Sequence, residues 1–221
     1  MIPRARRAVH AFEAPQPAEG WLTEWLLRGF AALMMVFVVT RWGHAWLTDP
    51  SRWSALLLLF CEGYTLLLVL AARRAMQRDM TPPSILLTLY ASCFVVLLEP
   101  GGTTGFVPEW TGAALQALGI AWQLMAKVCL GRSFGLLPAQ RGLVITGPYR
   151  VVRHPIYLGY LLSHVGFLLT NFSWRNAAVL ALLYAVQVAR IRREEAVLAA
   201  TDCGYQRYRQ QVRWRLLPFV Y

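Results

Sequence analysis

The residues best suited to chemistry gather in two short stretches. The first, Gly147-Pro148-Tyr149-Arg150-Val151-Val152-Arg153-His154-Pro155-Ile156-Tyr157-Leu158-Gly159, closes a polar segment and opens an apolar one. Proline is favoured at the first helical position, so Pro155 predicts a helix start with His154 just outside it. A helix N-terminus presents free backbone N–H groups and a partial positive charge. Arg153 and His154 add donors there, a combination that suits a carboxylate or a phosphate. Tyr157, three positions after His154, projects near the same face. A plainer arrangement uses the same residues: Arg153 against lipid phosphate, His154 as the helix cap and Tyr157 in an interfacial aromatic belt.

The second stretch, Arg190-Ile191-Arg192-Arg193-Glu194-Glu195, directly follows the last apolar run. An ionised group beside hydrocarbon needs a partner, so two adjacent carboxylates at a membrane exit are unusual. Either Arg190 pairs with Glu194 at i,i+4 and Glu195 is solvated, or both glutamates face the His154 pocket. In the second case an anion site and a cation site lie close together, as a zwitterionic amino-acid group requires. No metal is indicated. Cys61, Cys93, Cys129 and Cys203 lie more than thirty positions apart, with no C-x-x-C and no histidine at ligand spacing, and read as small apolar fillers.

The elements that must position these residues are membrane helices. Of 221 residues 57% are apolar and only 15% charged, whereas soluble domains carry roughly 25% charged residues. That balance also excludes a disordered chain, a collagen or a disulfide-stapled secreted domain. Apolar stretches run from Trp25 to Trp46, Trp53 to Ala72, Pro83 to Leu98, Trp110 to Leu130, Ile156 to Thr170 and Trp174 to Arg190. They predict an all-α polytopic membrane helix bundle of about six, five to six, transmembrane helices. The net charge of +11 comes from arginines set between these stretches, not from one basic face, so it predicts no nucleic-acid partner.

Charge also orients the bundle. With both termini cytoplasmic, Arg4, Arg6, Arg7, Arg73, Arg74, Arg78, Arg132, Arg141, Arg150, Arg153 and the arginines of the tail all fall inside, leaving Arg41, Arg52 and Arg175 outside. Arg28 and Lys127 sit near cytoplasmic helix ends, where they are expected to snorkel. The start of the chain, with no apolar h-region, does not read as a cleavable signal peptide. Glu62 and His164 lie inside spans, where an ionisable group is either a functional candidate or, the reading favoured here, an interhelical hydrogen-bonding group. The polar sequence concentrates in Gly131 to Pro155 and Ile191 to Tyr221, on one side of the membrane, so any chemistry is expected there. Lys127 is the only lysine among 22 basic residues, an arginine bias that points to a GC-rich bacterial genome.

An ordered set of motifs carries a resemblance. Leu130-Gly131-Arg132-Ser133-Phe134, Leu143-Val144-Ile145-Thr146-Gly147-Pro148-Tyr149, the Arg153-to-Gly159 block, Glu194-Glu195, Tyr205, Tyr208 and Val212-Arg213-Trp214-Arg215-Leu216-Leu217-Pro218 resemble the isoprenylcysteine carboxyl methyltransferase family in its bacterial form. The similarity runs from about Leu115 to the C-terminus. It implies a division into 1–108, an N-terminal cytoplasmic segment and three spans of unassigned function, and 109–221, a methyltransferase-like region.

The resemblance further implies an integral membrane methyltransferase that uses S-adenosylmethionine without a Rossmann domain. Its active site would lie on the cytoplasmic face of the bacterial inner membrane. Cofactor-binding residues would be Gly131, Phe134, Gly147, Tyr149, Arg153, His154, Pro155, Tyr157, Leu158, Glu194 and Glu195, with Arg190 facing the acceptor and Arg190 and Glu194 in the catalytic roles. The partner is a lipophilic or small-molecule acceptor offering a carboxylate, thiol or amine, in contact with membrane lipids; oligomeric state is not legible. A membrane NADPH-dependent reductase of the sterol reductase type shares an R-H-P block. It usually continues with asparagine and glutamate where this chain has Ile156 and Tyr160. A non-enzymatic channel or transporter would line several spans with polar residues, which this chain does not.

Overall fold

The computed structural model describes residues 17–71, 77–78, 81–99, 105–131, 139–140, 143–201 and 204–221. Of the candidates above, Phe134 lies outside the described residues, as do Arg132, Arg141, Cys203 and the N-terminal arginines. The described chain is a helical membrane bundle. It comprises α1 (Pro17–Val38), a π-helical turn (Val39–Gly43), α2 (His44–Thr48), α3 (Trp53–Ala71), α4 (Pro82–Leu97), α5 (Glu109–Leu130), a 3-10 turn (Gly147–Arg150), α6 (Pro155–Thr170), α7 (Trp174–Thr201) and α8 (Tyr205–Gln211). Gln77–Arg78 and Ala139–Gln140 form a two-residue antiparallel bridge.

By length and composition three helices among the described residues can cross a membrane: Trp25–Thr48, Trp53–Ala71 and Glu109–Leu130. The apolar helices α4 and α6, at 16 residues each, reach about 24 Å against a core of about 30 Å. Helix α7 continues unbroken past Arg190 to Thr201, so Glu194 and Glu195 stand on a helix and not on a loop.

Local chemistry sets the ends of these helices. Pro82 and Pro155 open α4 and α6, where a missing N–H costs nothing. Ser173 Oγ accepts the Asn176 N–H at 3.0 Å at the start of α7. The π turn contains Thr40, whose hydroxyl donates back to the carbonyls of Val36 and Phe37. That turn aims Trp42, 1% exposed, at the Phe167 ring. It also directs Arg41 inward, where it donates to the carbonyls of Val96 and Leu98 and so closes the C-terminus of α4.

The closest seam joins α5 and α6 in antiparallel order. A Cβ on Gly119 would meet Ser163 N at 2.5 Å and Gly159 O at 2.6 Å, and one on Gly166 would meet Gln116 N at 2.6 Å. Only the absence of side chains permits this approach. Helices α3 and α5 run parallel and are joined along their length by polar contacts that include Ser54 N to Glu109 Oε1 at 2.9 Å, Gln116 Nε2 to Ser54 O at 3.1 Å, Gln123 Nε2 to Cys61 Sγ at 3.2 Å, and Lys127 Nζ to Thr65 Oγ1 at 2.8 Å. Lys127 therefore does not snorkel: it is 0% exposed, turned into the bundle by the hydroxyl and by the Tyr160 ring 5.0 Å away. The main apolar core lies toward the opposite end and unites Trp42, Leu58, Phe94, Phe167 and Leu183 from five elements.

Candidate functional site

The polar stretches at the start of α6 and the end of α7 meet at one end of the bundle. Gly147, in the left-handed region at φ +58°, turns the chain so closely over Cys129 that a Cβ would meet its Sγ at 2.6 Å. The 3-10 turn that follows buries Tyr149. His154 then caps α6 by backbone conformation, without a side-chain cap bond.

The C-terminal tail straps this junction. The N–H groups of Arg153 and His154 donate to the carbonyls of Trp214 and Arg215, both at 2.9 Å, and Arg153 Nη1 donates to Val212 O at 3.3 Å. Tyr208 Oη donates to Tyr149 O at 2.8 Å. These two backbone donors, which precede the first turn of α6, are spent on the tail.

Glu195 occupies the centre. Its Oε1 lies 2.9 Å from Arg153 Nε and 3.3 Å from His154 Nε2, and its Oε2 accepts from Arg215 Nε at 3.0 Å. The residue is 6% exposed, which removes the solvated alternative. Burial, the largest single influence, pushes its carboxyl pKa up. The His154 hydrogen bond and charge, the Arg153 guanidinium and the Arg215 hydrogen bond together outweigh it and hold the group at about 2.

Glu194, on the adjacent face, accepts a short hydrogen bond from the Tyr157 hydroxyl. His154 Nδ1 lies 3.7 Å and Arg190 Nη2 3.9 Å from the same carboxylate, and the Arg190 guanidinium sits 5.9 Å from the Tyr157 ring centre. Burial raises the phenols of Tyr149, Tyr205 and Tyr208, with nearby carboxylates adding to it. They stand as neutral hydroxyls.

A cavity of about 260 Å³ opens among these groups. Tyr149, Arg153, His154, Tyr157, Arg190 and Glu194 line it, whereas Gly131, Gly147, Pro155, Leu158 and Glu195 do not. Gly131, at φ +53°, ends α5; Leu158 packs beside Tyr157, Ile191 and Leu216. The cavity continues between the helices to Phe30, Met34, Leu66 and Val95 of α1, α3 and α4. Glu62, Tyr160, His164 and Gln187 also line it. His164 makes the expected interhelical bond, its Nδ1 2.7 Å from Tyr184 Oη. Sequence reasoning passed over Tyr160 and Gln187; the available signal was their helical spacing, three residues from Tyr157 and Arg190 respectively.

Residues 108–201 match the phospholipid methyltransferase family. Its members are integral membrane methyltransferases related to the isoprenylcysteine carboxyl methyltransferases, and they typically use S-adenosylmethionine. The matched region is a little under half of the chain and runs from the start of α5 to the end of α7. No curated protein matches the chain. The match marks a methyltransferase, against the reductase and the non-enzymatic alternatives.

Proposed function

We propose that this membrane methyltransferase takes its methyl group from S-adenosylmethionine at the His154–Glu194 end of the bundle and delivers it to a lipophilic acceptor held between the helices. One observation carries the reading: a single cavity has ionisable groups at one end and an apolar lobe of α1, α3 and α4 at the other. The donor set suits the cofactor. Glu194 and the Tyr157 hydroxyl can receive an ammonium, tyrosine faces can receive a sulfonium, and His154 and Arg153 can receive a carboxylate. Tyr149, Tyr205 and Tyr208 add neutral hydroxyls to the same wall.

When bound, the cofactor supplies a methyl group already activated on a sulfonium. The protein has to align, exclude water and manage charge. Arg190, braced by Glu194 and the Tyr157 ring, orients the acceptor. Glu195 acts on the site through Arg153 and His154, whose positions it fixes, while Gly147, Pro155 and Leu158 set the turn and the helix start. Residues 109–221 form the cofactor-binding part and residues 1–108 supply the rest of the acceptor lobe. The arginine distribution favours the cytoplasmic face for this end, and the arginine bias over lysine supports a bacterial inner membrane.

Calorimetric titration of the full chain in nanodiscs with S-adenosylhomocysteine and, separately, NADPH tests the reading. Binding of S-adenosylhomocysteine alone, weakened by His154→Ala, is the expected result. NADPH binding alone would overturn it.

A further inference from the structure

The segment that straps the α6–α7 junction continues into a tight hook, Leu216 to Tyr221. Tyr221 O accepts from the N–H groups of Leu216, at 2.7 Å, and Leu217, at 3.0 Å, and Tyr221 N donates to Leu217 O at 3.0 Å. One side of the hook is seated in the protein. Leu216 packs with Tyr157 of α6 and Ile191 of α7, and Leu217 and Tyr221 lie against them. The Tyr221 ring centre is 5.2 Å from the guanidinium of Arg215, whose Nε donates to Glu195. The other side is bare: Phe219 is 85% and Val220 77% exposed. Among the described residues Phe219 is also the one other than glycine in the left-handed region, at φ +66°. Holding a bulky residue there costs free energy. Here that strain presents a large apolar ring to the surroundings, with the Trp214 ring 5.3 Å away as its neighbour.

Two further observations bear on what surrounds the ring. Tyr157 and Ile191 stand at the ends of the apolar runs Ile156 to Thr170 and Trp174 to Arg190, so the hook is seated at the depth where hydrocarbon gives way to head groups. From Tyr205 to Tyr221 the chain carries four arginines and no acidic residue, and Arg207, Arg209 and Arg213 are exposed. An apolar tip with exposed cations beside it, at that depth, is complementary to an anionic lipid surface. We propose that the hook is a membrane anchor. Phe219 and Val220 enter the acyl boundary of the leaflet at this end of the bundle, and the arginines meet its anionic head groups. The leaflet thereby latches the strap, whose Trp214 and Arg215 carbonyls hold the N–H groups of Arg153 and His154. The anchor requires only the membrane bundle and is independent of which cofactor the site takes.

The test attaches the fluorophore NBD at Val220→Cys in the full chain carrying Cys61→Ala, Cys93→Ala, Cys129→Ala and Cys203→Ala. Nanodiscs of phosphatidylcholine with and without phosphatidylglycerol hold the protein. The label should be quenched by lipids bearing a nitroxide high on the acyl chain, and protected from aqueous iodide more strongly when phosphatidylglycerol is present. Quenching by iodide alone, or protection indifferent to phosphatidylglycerol, overturns the proposal. Protection from both quenchers would mean that a second copy covers the tip, and overturns it too. A second measurement keeps the cysteines and compares hydrogen exchange in the parent and in Phe219→Gly, both in nanodiscs with phosphatidylglycerol. Glycine suits φ +66° and removes only the ring. Were the hook held by the protein alone, exchange of the Leu216, Arg153 and His154 amides would be unchanged or slower. A leaflet anchor predicts exchange about ten-fold faster at all three. This comparison decides alone should the cysteine-free chain fail to fold, and unchanged or slower exchange overturns the anchor.

Discussion

Arg153 Nε stands 2.9 Å from Glu195 Oε1 across the α6–α7 junction, and the two side chains are only 6% and 7% exposed. A buried pair of this kind contributes little over an apolar pair of the same shape, yet removing one member strands the other charge. Glu195→Gln should therefore destabilise the folded chain by about 3 kcal/mol or more. Chemical denaturation in detergent micelles, with Glu99→Gln as an exposed control, measures this; a cost no larger than the control's would mean that the junction is not held by Glu195.

The same carboxylate sets an acid limit. Its pKa falls from an ordinary value of 4.5 to about 2 in the folded chain. A depressed folded-state value adds stability that is complete above pH 4.5 and disappears as the pH falls towards 2. The melting temperature of the parent should fall across that window. In Glu195→Gln the part of the slope due to this group should vanish, and an unchanged slope would assign the acid sensitivity elsewhere.

Cofactor affinity and turnover should separate along α7. Tyr157→Phe removes the hydroxyl that bonds Glu194 and His154→Ala removes the ring beside both glutamates. Each should raise the Kd for S-adenosylhomocysteine by about ten-fold, in line with the loss of one charge-assisted hydrogen bond. Arg190→Ala should instead lower methyl transfer to a lipophilic acceptor more than it lowers cofactor affinity. Equal losses would place Arg190 in the cofactor site.

The glycine seam predicts a contrast in stability. Gly119→Leu must drive a side chain into the backbone of α6, where even a Cβ has less than 3 Å of room, and should prevent stable folding. A Cβ on Gly29 meets nothing within 4 Å. Gly29→Ala should leave the melting temperature unchanged or raise it slightly, through helix propensity.

The sequence by itself determined the membrane class and the helix positions. The expected stretches Trp53 to Ala72 and Trp110 to Leu130 correspond to α3 (Trp53–Ala71) and α5 (Glu109–Leu130), and Pro155 does open α6. Apolar runs, prolines and turn glycines act over a few neighbouring residues, so their effect is legible in one dimension. Tertiary structure alone decided which way each helix faces and what closes the site. Lys127 looks the same in sequence whether it snorkels or turns inward; contact with Thr65, 62 positions earlier, decides. Glu195 reads as solvated or buried until the tail brings Arg215 to it, and Gln187 is unremarkable until its amide is enclosed beside a cavity. Rotation of a helix about its axis and return of a distant tail depend on partners far away in the chain, and no local pattern encodes them.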